Sequence, residues 1–594
     1  MNFERIFDIL PYQLQKYPQQ QALCMCQNGQ ILSYSTRQCL ELINQLSCGL
    51  LQQGIQKNDT VAIMASQNCP EWSFTDFAIQ QTGGITVPIH ATASPDECLY
   101  IFNHAQIKWC FVNNKDLYSK IHRLHSQLPQ LQAVFTFLPV DNATNWQQLL
   151  LPCTQPLLQT LQQRKKQVQP QDVATIIYTS GTTGQPKGVV LTHDNIVSNI
   201  KSILPVLPVA QGNPVLSFLP LSHVFERTAN YTCMAAGAGI FYSAITQTEQ
   251  NMRLVKPCYF SAVPRVLERM FEEVEKRAQG FTGFRKYLFQ RALSIAEAYP
   301  FTGKPTWRYA INLYLARLLV LRRLKKAVGG RVKGIFLGAA ALQPRLARIF
   351  TAAGIPVREG YGLTESAPVL AFNRFEPGGS LLGTVGIPIP GVEIKINPTD
   401  GEILARGPNI MKGYYLEPQL TAQTITPDGW LHTGDLGEWV NDKFLKITGR
   451  KKELFKITSG KYVAPQPIEN QLRESAFIEH AMVIGDGHQF ISALIAPAFG
   501  VLQKYCLANN LPVDAENTQN WLNHPAITAL YRQLIDNYNS SPNTQHPIRK
   551  FLLLPHPFTP ENGLLTPTLK VKREAVIQQY QQQIETLYQT WGKS

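Results

Sequence analysis

The run Tyr178-Thr179-Ser180-Gly181-Thr182-Thr183-Gly184-Gln185-Pro186-Lys187-Gly188 concentrates the side chains and backbone freedom that hold an anion. Glycines let main-chain amides converge on one point, hydroxyls add donors, and Lys187 brings a full positive charge, so a polyphosphate is the ligand this chemistry suits. The spacing is not G-x-x-x-x-G-K-[ST]: five residues after Gly181 stands Pro186, and Gly188 follows the lysine. Taken alone, a Ser/Thr/Gly loop is also an ordinary turn, and both readings stay open at this point. His223, after an apolar run, reads as a structural histidine. Asp435, following Gly434, reads on its own as a turn residue. Lys570 and its neighbour Lys572, taken alone, read as solvated lysines.

The elements that must position these residues alternate in type. From Thr60 to Pro88, apolar runs (VAIMAS, ITVPIH) flank a helix-like stretch, and WCFV and AVFT recur before residue 140. Alternation of this kind predicts an α/β fold with buried parallel strands. ATIIY at 174–178 is a strand feeding the Ser/Thr/Gly loop, GVVLTH resumes strand character, and 215–219 and 334–337 are further strands. The Gln-, Pro- and Lys-rich segment 152–171 reads as a linker or exposed loop. Between Arg285 and Lys326 the apolar residues recur at three and four beside many Arg and Lys, which predicts amphipathic helices. From Gly383 to Gly407 the period changes to two, with Asp400-Gly401 as a hairpin signal. The tail after Arg450 reads as a separate α+β module with a helix from about Gln466.

Composition excludes several classes. The 594 residues are 44% hydrophobic and 16% charged, too apolar for disorder and too interrupted by charge for a membrane bundle. A charge of +14 fits a basic solvated surface or attraction to an anionic partner. Eleven cysteines without a C-x-x-C pair imply neither a zinc ribbon nor a complete disulfide framework, and a reducing compartment fits best. The N-terminus lacks a signal-peptide pattern and no segment offers about 20 uninterrupted apolar residues. The expectation is a cytoplasmic protein that does not bind nucleic acid, since no aromatic-basic reader motif occurs.

Four segments in order carry a resemblance: YTSGTTGQPKG, Glu359-Gly360-Tyr361-Gly362-Leu363-Thr364-Glu365, Gly429-Trp430-Leu431-His432-Thr433-Gly434-Asp435, and Thr448-Gly449-Arg450-Lys451-Lys452-Glu453. Together they resemble the adenylate-forming superfamily. PLSHVFER at 220–227, VPRVLERM at 263–270 and ENGLLTPTLKVKR at 561–573 resemble long-chain fatty acyl-CoA synthetases within it. The resemblance implies a large N-terminal adenylation domain (1–449, with a β-rich subdomain at about 383–445), a hinge at 450–452 and a small mobile α+β lid domain (453–594). It implies an enzyme that uses ATP, Mg²⁺ and CoA to convert a fatty acid through acyl-AMP to a thioester. Alternatives are a ligase delivering the acyl group to a carrier protein, a ligase for another hydrophobic carboxylate, and a catalytically silent lipid or nucleotide binder.

By the same resemblance Thr179, Ser180, Gly181, Thr182, Thr183, Gly184 and Lys187 hold the β- and γ-phosphates, and Thr179 and Glu365 stand near Mg²⁺. Thr364 donates to the α-phosphate, Tyr361 stacks on adenine beside Glu359 and Gly360, and Asp435 and Arg450 contact the ribose. Lys570 stabilises the transition state, His223 lies by the acyl carboxylate, Lys452 is the hinge, and Lys456 serves CoA. Leu337-Gly338-Ala339-Ala340-Ala341-Leu342 takes the place of a Ser-Gly-Gly/Ala-Ala-Pro-Leu stretch, so Gly338 and Ala339 line a pocket whose shape differs from the family pattern. The basic region Arg308 to Lys326 either lies on the inner face of an anionic bilayer or packs on the main domain with its cations snorkelling to water.

Overall fold

The computed structural model describes the chain except residues 1, 180–184, 301–305, 514–517, 542, 543, 545, 560, 561, 566–570 and 590–594. Five of the loop residues singled out above (Ser180 to Gly184) and Lys570 lie outside the described residues. Two compact units result, one built from 1–395, 404–433 and 439–446, the other from 396–403, 434–438 and 447–594.

The first unit rests on two large sheets. One runs in the order Gly413–Tyr414, Lys187–Thr192, Val173–Thr179, Ile85–His90, Thr60–Ala65, Trp109–Val112, Ala133–Thr136 and Thr144–Asn145. Its pairings from Val173–Thr179 onward are parallel, whereas Val173–Thr179 and Lys187–Thr192 form an antiparallel pair. The other has nine strands, with Gly239–Tyr242, Pro214–Ser217, Tyr259–Ala262, Gly334–Leu337 and Val357–Gly362 parallel at its centre. The expected α/β architecture is present. Central strands such as Thr60–Ala65 and Gly239–Tyr242 are buried along nearly their whole length, the reason they read as continuous apolar runs.

Helix Pro70–Gln81 is buried from end to end, so its polar residues need internal partners. Asp76 finds them in Arg227 of helix Val224–Ala235: Arg227 Nε donates to Asp76 Oδ2 (3.2 Å) and its Nη1 to Thr175 Oγ1 (2.8 Å). Tyr231 donates its hydroxyl to the same carboxylate. The ion pair is 1% and 0% exposed and ties strand Val173–Thr179 to the helix that begins after His223.

Segment 152–171 corrects the expectation of a linker. It holds the helix Gln155–Gln167, with Thr154 at the N-cap, a proline in the first turn and Leu161 buried. The glutamines that made it look like a loop are its solvent face. The amphipathic region resolves into helices Gly283–Glu297, Trp307–Ala316 and Arg322–Ala327, the last two joined by a π turn at Arg317–Leu321.

A four-stranded sheet follows the order Glu393–Ile396, Glu402–Arg406, Leu431–Val440 and Phe444–Arg450. The second unit continues with a three-stranded sheet of Ile478–Ile484, Ile491–Pro497 and Ile548–Leu553 and the helix Pro465–Leu472, close to where one was expected. All eleven cysteines are free, ten of them buried. Among the described residues no helix is long and apolar enough to cross a membrane.

Candidate active site

The parallel strands of the first unit deliver their carboxyl ends to the motif residues, the usual place for ligands in α/β sheets. Thr179 ends its strand and pairs in register with Lys187 across the hairpin, so the Ser/Thr/Gly loop begins and ends on two fixed, half-buried residues. Tyr178 supports the hairpin through its hydroxyl, 2.7 Å from His104 Nδ1.

Lys187 and Glu365 meet through Tyr414, a residue the sequence did not single out. The Tyr414 hydroxyl donates to Glu365 Oε1 (2.9 Å), and Lys187 Nζ lies 5.7 Å from the Tyr414 ring centroid. Burial first, and then the neighbouring Glu365, push the Tyr414 phenol well above its ordinary value, so it stays a donor. The strand Gly413–Tyr414 pairs with Lys187–Thr192, and Tyr415 N–H donates to Gly188 O (2.7 Å). A capping box secures its approach: Thr192 and Asn195 cap the helix His193–Ile203, and Asn195 Nδ2 then donates to Pro408 O and Ile410 O, each 2.8 Å away.

Thr364 and Glu365 sit on a 3₁₀ turn after Val357–Gly362. Ser366 Oγ accepts from Leu363 N–H (2.9 Å), and Met411 N–H donates to Glu365 O (2.8 Å). The register shifts between Tyr361 and Gly362, at the end of the strand that precedes this turn. Gly362 has no room for a side chain: a Cβ would stand 1.8 Å from Pro368 O.

Glu359 is 7% exposed and its Oε2 accepts Leu342 N–H (3.0 Å), which fixes the far end of the loop holding Gly338 and Ala339. Burial pushes its carboxyl up to about 7. Gly338 is buried against the Phe225 ring, 3.1 Å from where a Cβ would lie, while Ala339 is exposed with φ +71°. Gly360 pairs with Phe372.

His223 precedes helix Val224–Ala235, and its ring centroid is 5.6 Å from that of His90, at the end of its own strand. His90 was missed because one histidine after a proline in an apolar strand carries no spacing signal. Thr92 N–H donates to His90 Nδ1 (3.2 Å), which leaves the ring proton on Nε2. Burial lowers the His90 pKa, keeping the ring neutral. One turn after His223, Glu226 is buried, with its carboxyl pushed up to about 7 by burial and partly offset by Ser217, Ser261 and Asn230.

In the second unit Asp435 is buried and Arg450 Nε lies 2.8 Å from its Oδ1. Glu402, also missed, accepts Gly434 N–H on Oε1 (3.0 Å) and Lys451 Nζ on Oε2 (3.0 Å); Asp400 takes the same lysine at 2.7 Å. Two acids of the hairpin thus hold the residues beside Asp435 and Arg450. Lys452 lies in a 3₁₀ turn at Lys451–Glu453, and Lys456 is exposed, its Nζ 5.7 Å from the Tyr462 ring centroid.

Residues 10–415 match the family model of the AMP-binding enzymes and 453–591 that of the AMP-binding enzyme C-terminal domain. The chain is 33% identical to the long-chain-fatty-acid–CoA ligase FadD15 of Mycobacterium bovis, covering 93% of this chain and 92% of that protein. It is 32% identical to long chain acyl-CoA synthetase 6, peroxisomal, of Arabidopsis thaliana, covering 92% and 80%. Among solved structures, the anthranilate CoA ligase AuaEII in complex with anthranoyl-AMP shares the fold, with TM-score 0.71 at 19% identity and 96% of each chain covered. The chain belongs to the AMP-binding enzyme family.

Proposed function

We propose that this protein is an AMP-forming long-chain fatty acid:CoA ligase. A carboxylate oxygen of the fatty acid attacks the α-phosphorus of ATP, the bond to the β-phosphate breaks, and pyrophosphate leaves with acyl-AMP formed. The sulfur of CoA then attacks the acyl carbon, its proton is lost to solvent, and AMP leaves. The observation that carries the reading is the Lys187, Tyr414, Glu365 cluster beside the paired residues Thr179 and Lys187. It supplies one cation for a phosphate chain and one oriented carboxylate, in a chain whose relatives are named as long-chain fatty acid ligases.

Two anions must be brought together, so the protein's work is neutralisation and orientation. Lys187 and the motif residues 179–184 take the β- and γ-phosphates, Thr364 donates to the α-phosphate, and Tyr361 stacks on adenine. Gly338, Ala339, Glu359 and Gly360 form the backbone around the base. Asp435 accepts from the ribose hydroxyls, with Arg450 fixing its carboxylate. His223, which lies beside His90, orients the fatty carboxylate. Lys570 bridges carboxylate and α-phosphate, Lys452 is the hinge, and Lys456 receives CoA.

Among the described residues no group of three or more His, Cys, Asp and Glu side chains is placed to hold a metal. Glu365, whose Oε1 accepts from the Tyr414 hydroxyl, would be the protein carboxylate for Mg²⁺ carried on substrate phosphates, with Thr179 as a hydroxyl neighbour, a manner of binding common for this ion. Bound there, the ion would neutralise phosphate charge. We assign the enzyme to the cytoplasm, with peripheral attachment to the inner face of the membrane.

Incubation of the purified protein with mixed fatty acids, ATP, Mg²⁺ and CoA, read by mass spectrometry, tests the proposal. Long-chain acyl-CoA and AMP are expected in equal amounts. Acyl transfer to a carrier protein with none to CoA would overturn the assigned acceptor.

A further inference from the structure

The helix Trp307–Ala316, its π turn and the helix Arg322–Ala327 form one helical rod with an unusual solvent side. One side is settled, because Leu313, Ala316, Leu321 and Leu324 are buried in the core. The outer side is rich in apolar residues as well: beside the exposed Arg308, Asn312 and Arg317, Trp307, Ile311, Tyr314, Leu315, Leu318 and Leu319 are each 46 to 69% exposed. A helix that merely packs on a soluble domain carries polar residues on that face.

A neighbouring helix widens the patch. Gly283–Glu297 runs alongside in the opposite direction, since Tyr309 donates its hydroxyl to Ile295 O (2.8 Å) at one end and Arg323 stands 5.8 Å from the Phe281 ring centroid at the other. Phe284 and Tyr287, exposed by 72% and 61%, therefore lie toward the Arg323 end of the rod. Exposed apolar side chains gathered on two neighbouring helices mark an interaction face.

Charge identifies the partner. No Asp or Glu stands between Glu297 and Glu359, whereas twelve Lys and Arg do. Arg322, Arg323, Lys325 and Lys326 continue the rod, and none of the four is ion-paired among the described residues. A second copy of the chain would bring no acidic residue on its own rod to meet these cations. An anionic bilayer offers the complement to both features: an apolar layer for the aromatic and leucine side chains and phosphates for the cations.

We infer that this face is a membrane-docking surface, whose apolar residues enter the boundary between headgroups and acyl chains of an anionic leaflet. The inference deepens the peripheral attachment proposed above and rests on the fatty-acid reading for its purpose, because a long-chain acid partitions into that layer.

Flotation of the full chain with vesicles tests it. The wild type should float with vesicles of equal phosphatidylglycerol and phosphatidylcholine and far less with phosphatidylcholine alone. Leu315→Ser/Leu318→Ser/Leu319→Ser should cut the bound fraction at least about tenfold at any salt concentration. Arg322→Glu/Arg323→Glu/Lys326→Glu should do so by a similar factor at low salt. Both variants should keep octanoate-dependent ATP–pyrophosphate exchange, a soluble-substrate readout that reports folding. If the leucine variant loses exchange, the single Leu318→Ser at its exposed position is read instead, with a smaller loss expected. A wild type that does not float on the anionic vesicles, or a leucine variant that floats like the wild type, overturns the inference. So does a lipid-free dimer, seen by sedimentation, that the leucine substitutions dissociate, since a second copy would then own the face. Absence of exchange with any fatty acid in the wild type would overturn the ligase reading and leave the flotation result to be judged separately.

Discussion

Replacing Tyr414 by Phe removes one hydroxyl and keeps the ring. The lost bond is the 2.9 Å donation to Glu365 Oε1, while the ring 5.7 Å from Lys187 Nζ is unchanged. A hydrogen bond to a charged acceptor contributes about 1.5–3 kcal/mol. Glu365 is half-buried, so water can take up the vacated position and the lower end applies. About 1.4 kcal/mol is a factor of about 10 in rate. The assay is fatty-acid-dependent ATP–pyrophosphate exchange measured across Mg²⁺ concentrations. Tyr414→Phe should lose about tenfold at low Mg²⁺ and recover part of it as Mg²⁺ is raised, with KM for the fatty acid unchanged. Tyr414→Leu removes the ring under Lys187 as well and should lose a further several-fold, chiefly in KM for ATP. Wild-type exchange by Tyr414→Phe at limiting Mg²⁺, or equal losses for the two variants, would refute the claim that Tyr414 couples Lys187 to Glu365.

Asp76→Asn and Arg227→Met should each cost about 3–5 kcal/mol, because either leaves the other's charge buried and unpaired. Denaturation of the double variant should show a loss smaller than the sum by about 2 kcal/mol or more; additive losses would contradict the pairing. Glu359 has its pKa raised from 4.5 to about 7, so its ionisation opposes folding. That penalty is absent below the unfolded value, grows as pH rises from about 4.5, and approaches on the order of 3 kcal/mol above about 7. Glu359→Gln keeps an acceptor for Leu342 N–H, and its Tm relative to wild type should therefore rise between pH 5 and pH 7.5; a constant difference would refute the assignment. Lys570→Ala should abolish acyl-adenylate formation yet pass supplied acyl-AMP to CoA, whereas Lys452→Pro should form acyl-AMP and fail to pass it on. Equal loss of both steps in the first, or unchanged overall turnover in the second, would count against the roles given to these lysines.

Elements buried on both faces were legible as composition. ATIIY and GIFL are strands because unbroken apolar, β-branched runs have no solvent face to alternate with. Segment 152–171 misled because a surface helix with one buried leucine leaves almost no periodic signal. Lys187, Thr364, Glu365, Asp435 and Arg450 could be named because they sit in local motifs. Their supporting partners could not be, since Tyr414 reaches Glu365 and Lys187, Glu402 and Asp400 reach Gly434 and Lys451, and His90 comes beside His223, only through strand register or across long stretches of chain. The buried Asp76–Arg227 pair is of the same kind: 151 residues separate its members, and only the packing of two helices and a strand brings them together. The exposed apolar face of 307–319 was half legible. The sequence displays an apolar and basic helix, but which side faces solvent is decided by the core it packs on.

Labelled pyrophosphate incubated with the protein, ATP, Mg²⁺ and palmitate in the absence of CoA probes the first bond the enzyme is held to make. Label should enter ATP only when the fatty acid is present, and should fall sharply when Lys187 is replaced by Ala. Incorporation without any carboxylic acid, or turnover of ATP to ADP and phosphate instead, would contradict the account.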